Sequence, residues 1–142
     1  MWETKTLSAD PDAYAPDGSE VRLLAALKGG SFAHFTLPPG GVSGAVAHRT
    51  VEEIWYVVAG SGEVWRQLGE AESVTAVSPG VALTVPLGVH FQFRARAEGL
   101  SFVAVTMPPW PGAEEAFAVK GRWAGQAPLK PPTVAPSSLS PT

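Results

Sequence analysis

The 142-residue sequence predicts an all-β fold, either a sandwich or a barrel. Fifteen glycines and 14 prolines fall in clusters that mark turns, and short runs rich in Val, Phe, Trp and Leu lie between them. Short strands that alternate with turn signals at this spacing are typical of all-β domains. Helical structure has little support, because apolar residues with helical spacing rarely persist beyond about ten residues.

Length and composition narrow the class of protein. A chain of this length forms one domain by default and buries roughly 68–70% of the surface of the unfolded chain. Cysteine is absent, which excludes disulfides and thiolate metal sites and fits a reducing cytoplasm. The 13 acidic and 10 basic residues form no charge run, and no apolar run approaches a membrane span. We therefore expect a cytoplasmic protein that binds neither nucleic acid nor a membrane.

Nine strands are predicted in order along the chain. They are expected at 20–27, 31–37, 43–48, 53–59, 62–68, 73–77, 81–85, 89–96 and 100–107. The fourth and fifth strands are predicted to form a hairpin, because Gly60 and Gly62 allow the positive φ angles that a tight turn requires.

The chain is expected to divide into three parts. Residues 1–19 form an N-terminal arm, residues 20–124 form the barrel domain, and residues 125–142 form a Pro- and Ser-rich tail without core periodicity. Near the end of the barrel domain, the residues after Pro111 and Gly112 predict a short helix or loop, with acidic residues where a helix dipole favours them.

The predicted strand at 53–59 is apolar on both faces. Trp55 and Val57 point to one side, whereas Ile54, Tyr56 and Val58 point to the other. A strand of a sheet with one solvated side would show a polar face. We therefore expect the outer face to be covered, and a homodimer is the favoured arrangement.

Any metal site in this chain must use nitrogen and oxygen ligands. The candidate ligands are three histidines and three glutamates: His34, His48, His90, Glu52, Glu53 and Glu63. Two histidines and one carboxylate on one face can hold a divalent metal with positions open for a substrate. Strand alternation points Glu53 inward, and Glu52 and His34 outward.

The segment 40–60, GGVSGAVAHRTVEEIWYVVAG, resembles the first motif of the cupin superfamily, G-x5-H-x-H-x3,4-E-x6-G. Gly40, His48, Glu53 and Gly60 match the motif at the right spacing. Val46 stands where the motif has its first histidine, and there the sequence departs from the pattern.

The segment 80–94, GVALTVPLGVHFQFR, is similar to the second cupin motif, G-x5-P-x-G-x2-H-x3-N. Gly80, Pro86 and Gly88 match, whereas His90 comes one residue early and Arg94 stands where asparagine is expected. The resemblance implies a double-stranded β-helix, the jelly-roll barrel of cupins.

The resemblance also implies a divalent transition metal (iron, manganese, nickel or zinc) held by His48, Glu53 and His90. Two orientations of His90 remain open. If the preceding loop is one residue shorter than the motif, His90 points inward. If the loop keeps its length, Phe91 takes the ligand position and His90 points outward, because a one-residue slip reverses the face.

Two functions follow from the resemblance. The first is a metal-dependent dioxygenase, isomerase, decarboxylase or lyase that acts on a small organic acid or a sugar-like substrate. The alternative is a metal-free cupin with a degenerate metal site, which binds a small ligand or has a structural role; an acid–base enzyme that uses His48 and Glu53 lies between the two. The cavity is expected to have an apolar wall formed by Val46, Trp55, Phe91 and Phe93.

Overall fold

The computed structural model describes residues 1–125, which form nine β-strands and one short 3-10 turn. The strands are β1 (Ala13–Tyr14), β2 (Glu20–Leu27), β3 (Gly30–Leu37), β4 (Val46–His48), β5 (Glu52–Leu68), β6 (Ala71–Val77), β7 (Ala82–Val85), β8 (His90–Met107) and β9 (Ala116–Ala118). Within residues 1–125, no helix is long and apolar enough to cross a membrane. The predicted tail lies outside the described residues from position 126 onward.

Two long strands, β5 and β8, run through both walls of the barrel. They are antiparallel and pair from Glu52 opposite Met107 at one end to Gln67 opposite His90 at the other. In one wall, β8 also pairs with β3 and β5 also pairs with β7; in the other wall, β5 pairs with β6, and β8 pairs with β4. All these pairs are antiparallel, and the curled sheet confirms the predicted double-stranded β-helix.

The hairpin predicted at 53–68 is wrong, because β5 continues through Gly60 and Gly62 without a turn. Gly60 has a φ of +73°, and an added Cβ there would collide with the carbonyl of Gly99. An added Cβ at Gly62 would collide with the carbonyl of Arg94. The two glycines allow a bulge and a close approach of β8, which bends the strand at a barrel corner.

The C-terminal part of the barrel differs in two further ways from the prediction. The strands expected at 89–96 and 100–107 are continuous in β8, and the pairing with β5 shifts between them, from Leu100 opposite Gly60 to Ala95 opposite Gly62. The predicted short helix is a single 3-10 turn at Ala113–Glu115, which leads directly into β9.

The core lies between the two walls and consists mainly of aromatic and β-branched side chains. Trp55 stacks on Phe102 with ring centroids 3.9 Å apart, and Phe93 meets both rings edge-on at 5.3 Å. Aromatic side chains bury large apolar areas, and stacked and edge-on pairs add to this stabilisation. Along β5 the inward side chains are buried, whereas Ile54 and Tyr56 on the outer face are 45% and 50% exposed.

The close approach at Gly60 yields a prediction for stability. We expect Gly60→Ala to lower the free energy of unfolding by about 2 kcal/mol or more, because it adds a backbone collision to the strain of a positive φ. Gly69→Ala is the matched control, since Gly69 has a φ of +61° but no atom within 4 Å of an added Cβ. Urea denaturation measures both variants. Equal losses in the two variants would show that the approach of β8 adds nothing.

Candidate functional site

A cavity of about 340 Å³, here called the barrel cavity, opens between the two walls. Its lining is mostly apolar. The aromatic members are Phe32, Phe35, Trp55, Phe91, Phe102 and Trp110, and the polar members from the barrel strands include His48, Glu53 and Thr106. Ligand pockets in proteins typically have volumes of about 300–1,000 Å³ and combine apolar walls with a few polar groups. The barrel cavity fits this description.

The carboxyl group of Glu53 is buried at the cavity wall. The indole N–H of Trp55 donates to Oε1 at 2.8 Å, and the hydroxyl of Thr106 donates to Oε2 at 3.0 Å. Both partners follow from the strand register, because Trp55 lies two residues along β5 on the same face and Thr106 pairs directly with Glu53. Burial raises the pKa of Glu53 to about 7, although the two hydrogen bonds oppose this shift. Near neutral pH, Glu53 can therefore hold or release a proton.

The imidazole of His48 lies on β4 and is 5% exposed. It meets the rings of Phe91 and Trp110 edge-on, with centroids 5.2 and 5.3 Å away. Burial lowers the pKa of His48 to about 4, although the charge of Glu115 opposes this shift. His48 is therefore neutral at pH 7. Its Nδ1 is buried and has no hydrogen-bond partner among the described residues.

Glu115 holds the loop that follows β4, and the sequence did not identify it as part of the site. Its carboxylate accepts hydrogen bonds from the backbone N–H groups of Thr50 and Val51 and from the Thr50 hydroxyl. Burial raises the pKa of Glu115, but these hydrogen bonds and nearby His48 outweigh burial, so the pKa is lowered overall. The contact joins residues 65 positions apart, and therefore leaves no local pattern in the sequence.

The N-terminal arm also contributes to the barrel cavity, which the sequence did not indicate. Glu3 and Lys5 line the cavity although residues 1–8 are exposed to solvent. Arg22 of β2 holds the arm, because its guanidinium donates to the carbonyls of Ser8 at 3.0 Å and Ala9 at 2.9 Å. The arm thus forms the solvent-facing part of the cavity wall.

The structure brings some of the predicted site residues together and separates others. His48 and Glu53 both line the barrel cavity, as do three of the four predicted wall residues, Val46, Trp55 and Phe91. The fourth, Phe93, is fully buried in the core against Trp55.

His90 lies away from the barrel cavity. It begins β8 opposite Gln67, and its neighbour Phe91 is the residue that faces the cavity. Successive side chains of a strand point to opposite faces, so His90 is directed away from His48 and Glu53. This arrangement corresponds to the second of the two orientations, in which the loop keeps its length.

The donor atoms do not fit the metal that the motif resemblance implies. Catalytic centres with nitrogen and oxygen donors usually have three protein ligands around an open position. Across residues 1–125, no group of three or more His, Cys, Asp or Glu side chains is placed to hold a metal ion. Val46 and Phe91 occupy the other motif positions, and both oxygens of Glu53 already accept hydrogen bonds.

A match to a known family model identifies the family of this chain. The family model of the cupin domain matches residues 33–107, which is more than half of the chain. The chain belongs to the cupin family. No curated protein sequence matches this cupin.

Several solved structures share the fold of this cupin. Oxalate decarboxylase from Bacillus subtilis has a TM-score of 0.71 at 18% identity, covering 84% of this chain and 32% of that chain. The capsular polysaccharide assembling protein CapF from Staphylococcus aureus has a TM-score of 0.66 at 15% identity, covering 82% of this chain and 34% of that chain. KdgF from Halomonas sp. has a TM-score of 0.57 at 22% identity, covering 64% of this chain and 79% of that chain. At these identities the similarity establishes the fold, and the chain spans about a third of the length of the first two proteins.

The shifted pKa values of Glu53 and His48 predict opposite effects of pH on stability. The pKa of Glu53 rises from 4.5 to about 7 on folding, so the folded state binds more protons and Glu53 makes the protein less stable as pH rises through this range. The pKa of His48 falls from 6.5 to about 4, so His48 makes the protein less stable as pH falls through this range. Relative to wild type, Glu53→Gln should therefore gain stability as pH rises, and His48→Gln should gain stability as pH falls.

Urea denaturation between pH 4 and pH 8 measures these differences. Glu52→Gln removes an exposed carboxyl from the adjacent position of β5 and controls for the loss of one charge. Trends of the same sign in Glu53→Gln and His48→Gln would contradict the assignment.

Proposed function

We propose that this cupin binds a small molecule in the barrel cavity without a metal ion. The observation that carries the proposal is an aromatic cavity with two buried polar groups, one of which, Nδ1 of His48, has no hydrogen-bond partner among the described residues. A buried polar atom without a partner costs about 1–3 kcal/mol. A ligand that brings polar groups to this part of the cavity offsets such a cost.

The wall residues have distinct roles in this proposal. Trp55, Phe91 and Phe102 supply apolar contact area, which drives binding of a largely apolar ligand. His48 and Glu53 orient the ligand through hydrogen bonds. Glu53 can also transfer a proton near neutral pH, so an acid–base step lies within the capacity of the site.

The competing proposal is the metal-dependent enzyme that the cupin motifs imply. It would rely on His48 and Glu53, and it needs a third ligand that His90 does not supply in this arrangement. The metal content of the purified protein distinguishes this enzyme from a metal-free binding protein. Near-stoichiometric metal in untagged wild-type protein, lost in His48→Ala, would support the enzyme and contradict metal-free binding.

Benzyl alcohol is a neutral aromatic probe for the barrel cavity. We expect it to shift the indole N–H resonance of Trp55 in a two-dimensional NMR titration, because that group lies at the cavity wall. Ala33→Phe fills part of the cavity and should weaken binding. Ala82→Phe adds the same ring on the exposed side of β7 and is the matched control.

The titration can contradict the proposal in two ways. In the first, benzyl alcohol leaves all cavity resonances unchanged in the wild type; in the second, it binds Ala33→Phe as tightly as the wild type. Either result would contradict binding of a neutral aromatic molecule in the barrel cavity.

We also propose that the protein is a homodimer that pairs through the outer face of β3, β5 and β8. Ile54 and Tyr56 are about half exposed on this face, and they pair with Val105 and Val103 across the strands. Phe32 of β3 continues the same apolar stripe opposite Val105. Exposed apolar stripes of this kind are typical of interaction surfaces. The cytoplasmic location stays a prediction of the sequence.

Sedimentation measures the dimer. We expect a dimer at micromolar concentration for the wild type and a monomer for Tyr56→Lys, because a buried lysine in an apolar interface is costly. Glu52→Lys is the control for an added positive charge on β5, because Glu52 is also exposed on this strand. A wild-type monomer would remove the proposal.

A further inference from the structure

Two hydrogen-bond donors at the wall of the barrel cavity are already engaged by Glu53. The indole N–H of Trp55 and the hydroxyl of Thr106 both donate to the carboxyl of Glu53. A ligand that needs donors, such as a carboxylate or a phosphate, therefore finds neither of these groups free.

At ionised Glu53, the capacity that remains is for accepting hydrogen bonds. Each carboxylate oxygen offers two lone pairs, and each oxygen of Glu53 accepts one hydrogen bond from the described residues. A neutral imidazole carries one N–H donor and one acceptor nitrogen, and Nδ1 of His48 has no hydrogen-bond partner among the described residues, so His48 can complement either kind of ligand group. The ligand group complementary to Glu53 is therefore one that donates hydrogen bonds.

The charges around the barrel cavity favour the same type of ligand. Glu3, Asp17 and Glu53 contribute carboxyl groups to the described lining, whereas Lys5 is its one basic side chain with a permanent charge. Lys5 belongs to the exposed arm, next to Glu3, and not to the barrel interior. An anion moved from water into the interior would meet a carboxylate without a compensating cation, which is unfavourable.

The aromatic walls are also compatible with a cation. Rings of Trp55, Phe91 and Trp110 surround the region near His48 and Glu53. Aromatic faces attract ammonium and guanidinium groups, and this attraction strengthens when the cation is desolvated.

From the engaged donors and the free acceptor sites at Glu53, the carboxyl groups of the lining and the aromatic walls, we infer that the ligand is a small organic cation with N–H donors, such as an ammonium or guanidinium group on an aromatic or aliphatic body. The inference rests on the proposed binding function and specifies the chemical class of its ligand. The cationic group would lie against Glu53, with the apolar body among the aromatic rings. This class differs from the small organic acids that the cupin resemblance implies.

Three probes of similar shape separate the possibilities: benzylamine, benzyl alcohol and benzoate. They carry a positive charge, no charge and a negative charge at pH 8. Titration of full-length protein, followed by the Trp55 indole resonance and by calorimetry, gives the three affinities. We expect benzylamine to bind most tightly and benzoate most weakly.

Glu53→Gln tests the charge directly, since it keeps the shape of the side chain. It should weaken benzylamine binding by about thirtyfold or more, because a buried charge loses its partner, and should change benzyl alcohol binding little. Glu52→Gln removes an exposed carboxyl one position away and should bind both probes as the wild type does. If Glu53→Gln does not fold, the order of the three affinities in the wild type still tests the inference.

The outcomes separate the inference from the function on which it rests. Benzoate binding as tightly as benzylamine overturns the inference and leaves the binding function intact. Undiminished benzylamine binding in Glu53→Gln also overturns the inference. Failure of all three probes to bind overturns both the inference and the binding function.

Discussion

The antiparallel pairing of β5 with β8 is the constraint on which the rest of the structure depends. The two strands pair over almost their whole length, and every other strand of the two walls except β1, β2 and β9 pairs directly with one of them. Strands this long can serve both walls only if they bend. Gly60 and Gly62 permit the bend because a side chain at either position would collide with the backbone of β8. The barrel therefore closes through two backbone contacts that side chains would prevent.

The same pairing builds the candidate site. It sets Thr106 opposite Glu53, so the hydroxyl and the indole of Trp55 both reach the carboxyl group. It also sets the orientation at the start of β8, where Phe91 faces the barrel cavity and His90 does not. A shift of one residue in this register would exchange the two side chains. The chemistry of the site thus depends on the register more than on the presence of a histidine.

Burial shifts the pKa values of the two polar groups of the barrel cavity, Glu53 and His48. Glu53 and His48 are both driven toward their neutral forms, the first by a raised pKa and the second by a lowered pKa. Glu115 lies close to His48 but has the opposite shift, because backbone and hydroxyl groups donate to its carboxylate. One carboxyl therefore anchors the backbone in its charged form, while the other remains able to exchange a proton with a bound ligand.

The fold class follows from the sequence alone, because turn residues and alternating apolar runs are local patterns, and the glycine positions of the two cupin motifs keep their spacing. It also placed Val46, His48, Glu53 and Trp55 on the inward side, since alternation within a strand needs no knowledge of the partner strand. The hairpin at Gly60 was predicted wrongly because a glycine pair permits either a turn or a bulge. The close approach of β8 in the folded protein selects the bulge. The fold likewise sets the direction of His90, the hydrogen bonds by which Glu115 holds the loop after His48, and the position of Glu3 and Lys5 at the cavity wall. Each of these depends on a register or contact between residues far apart in the chain.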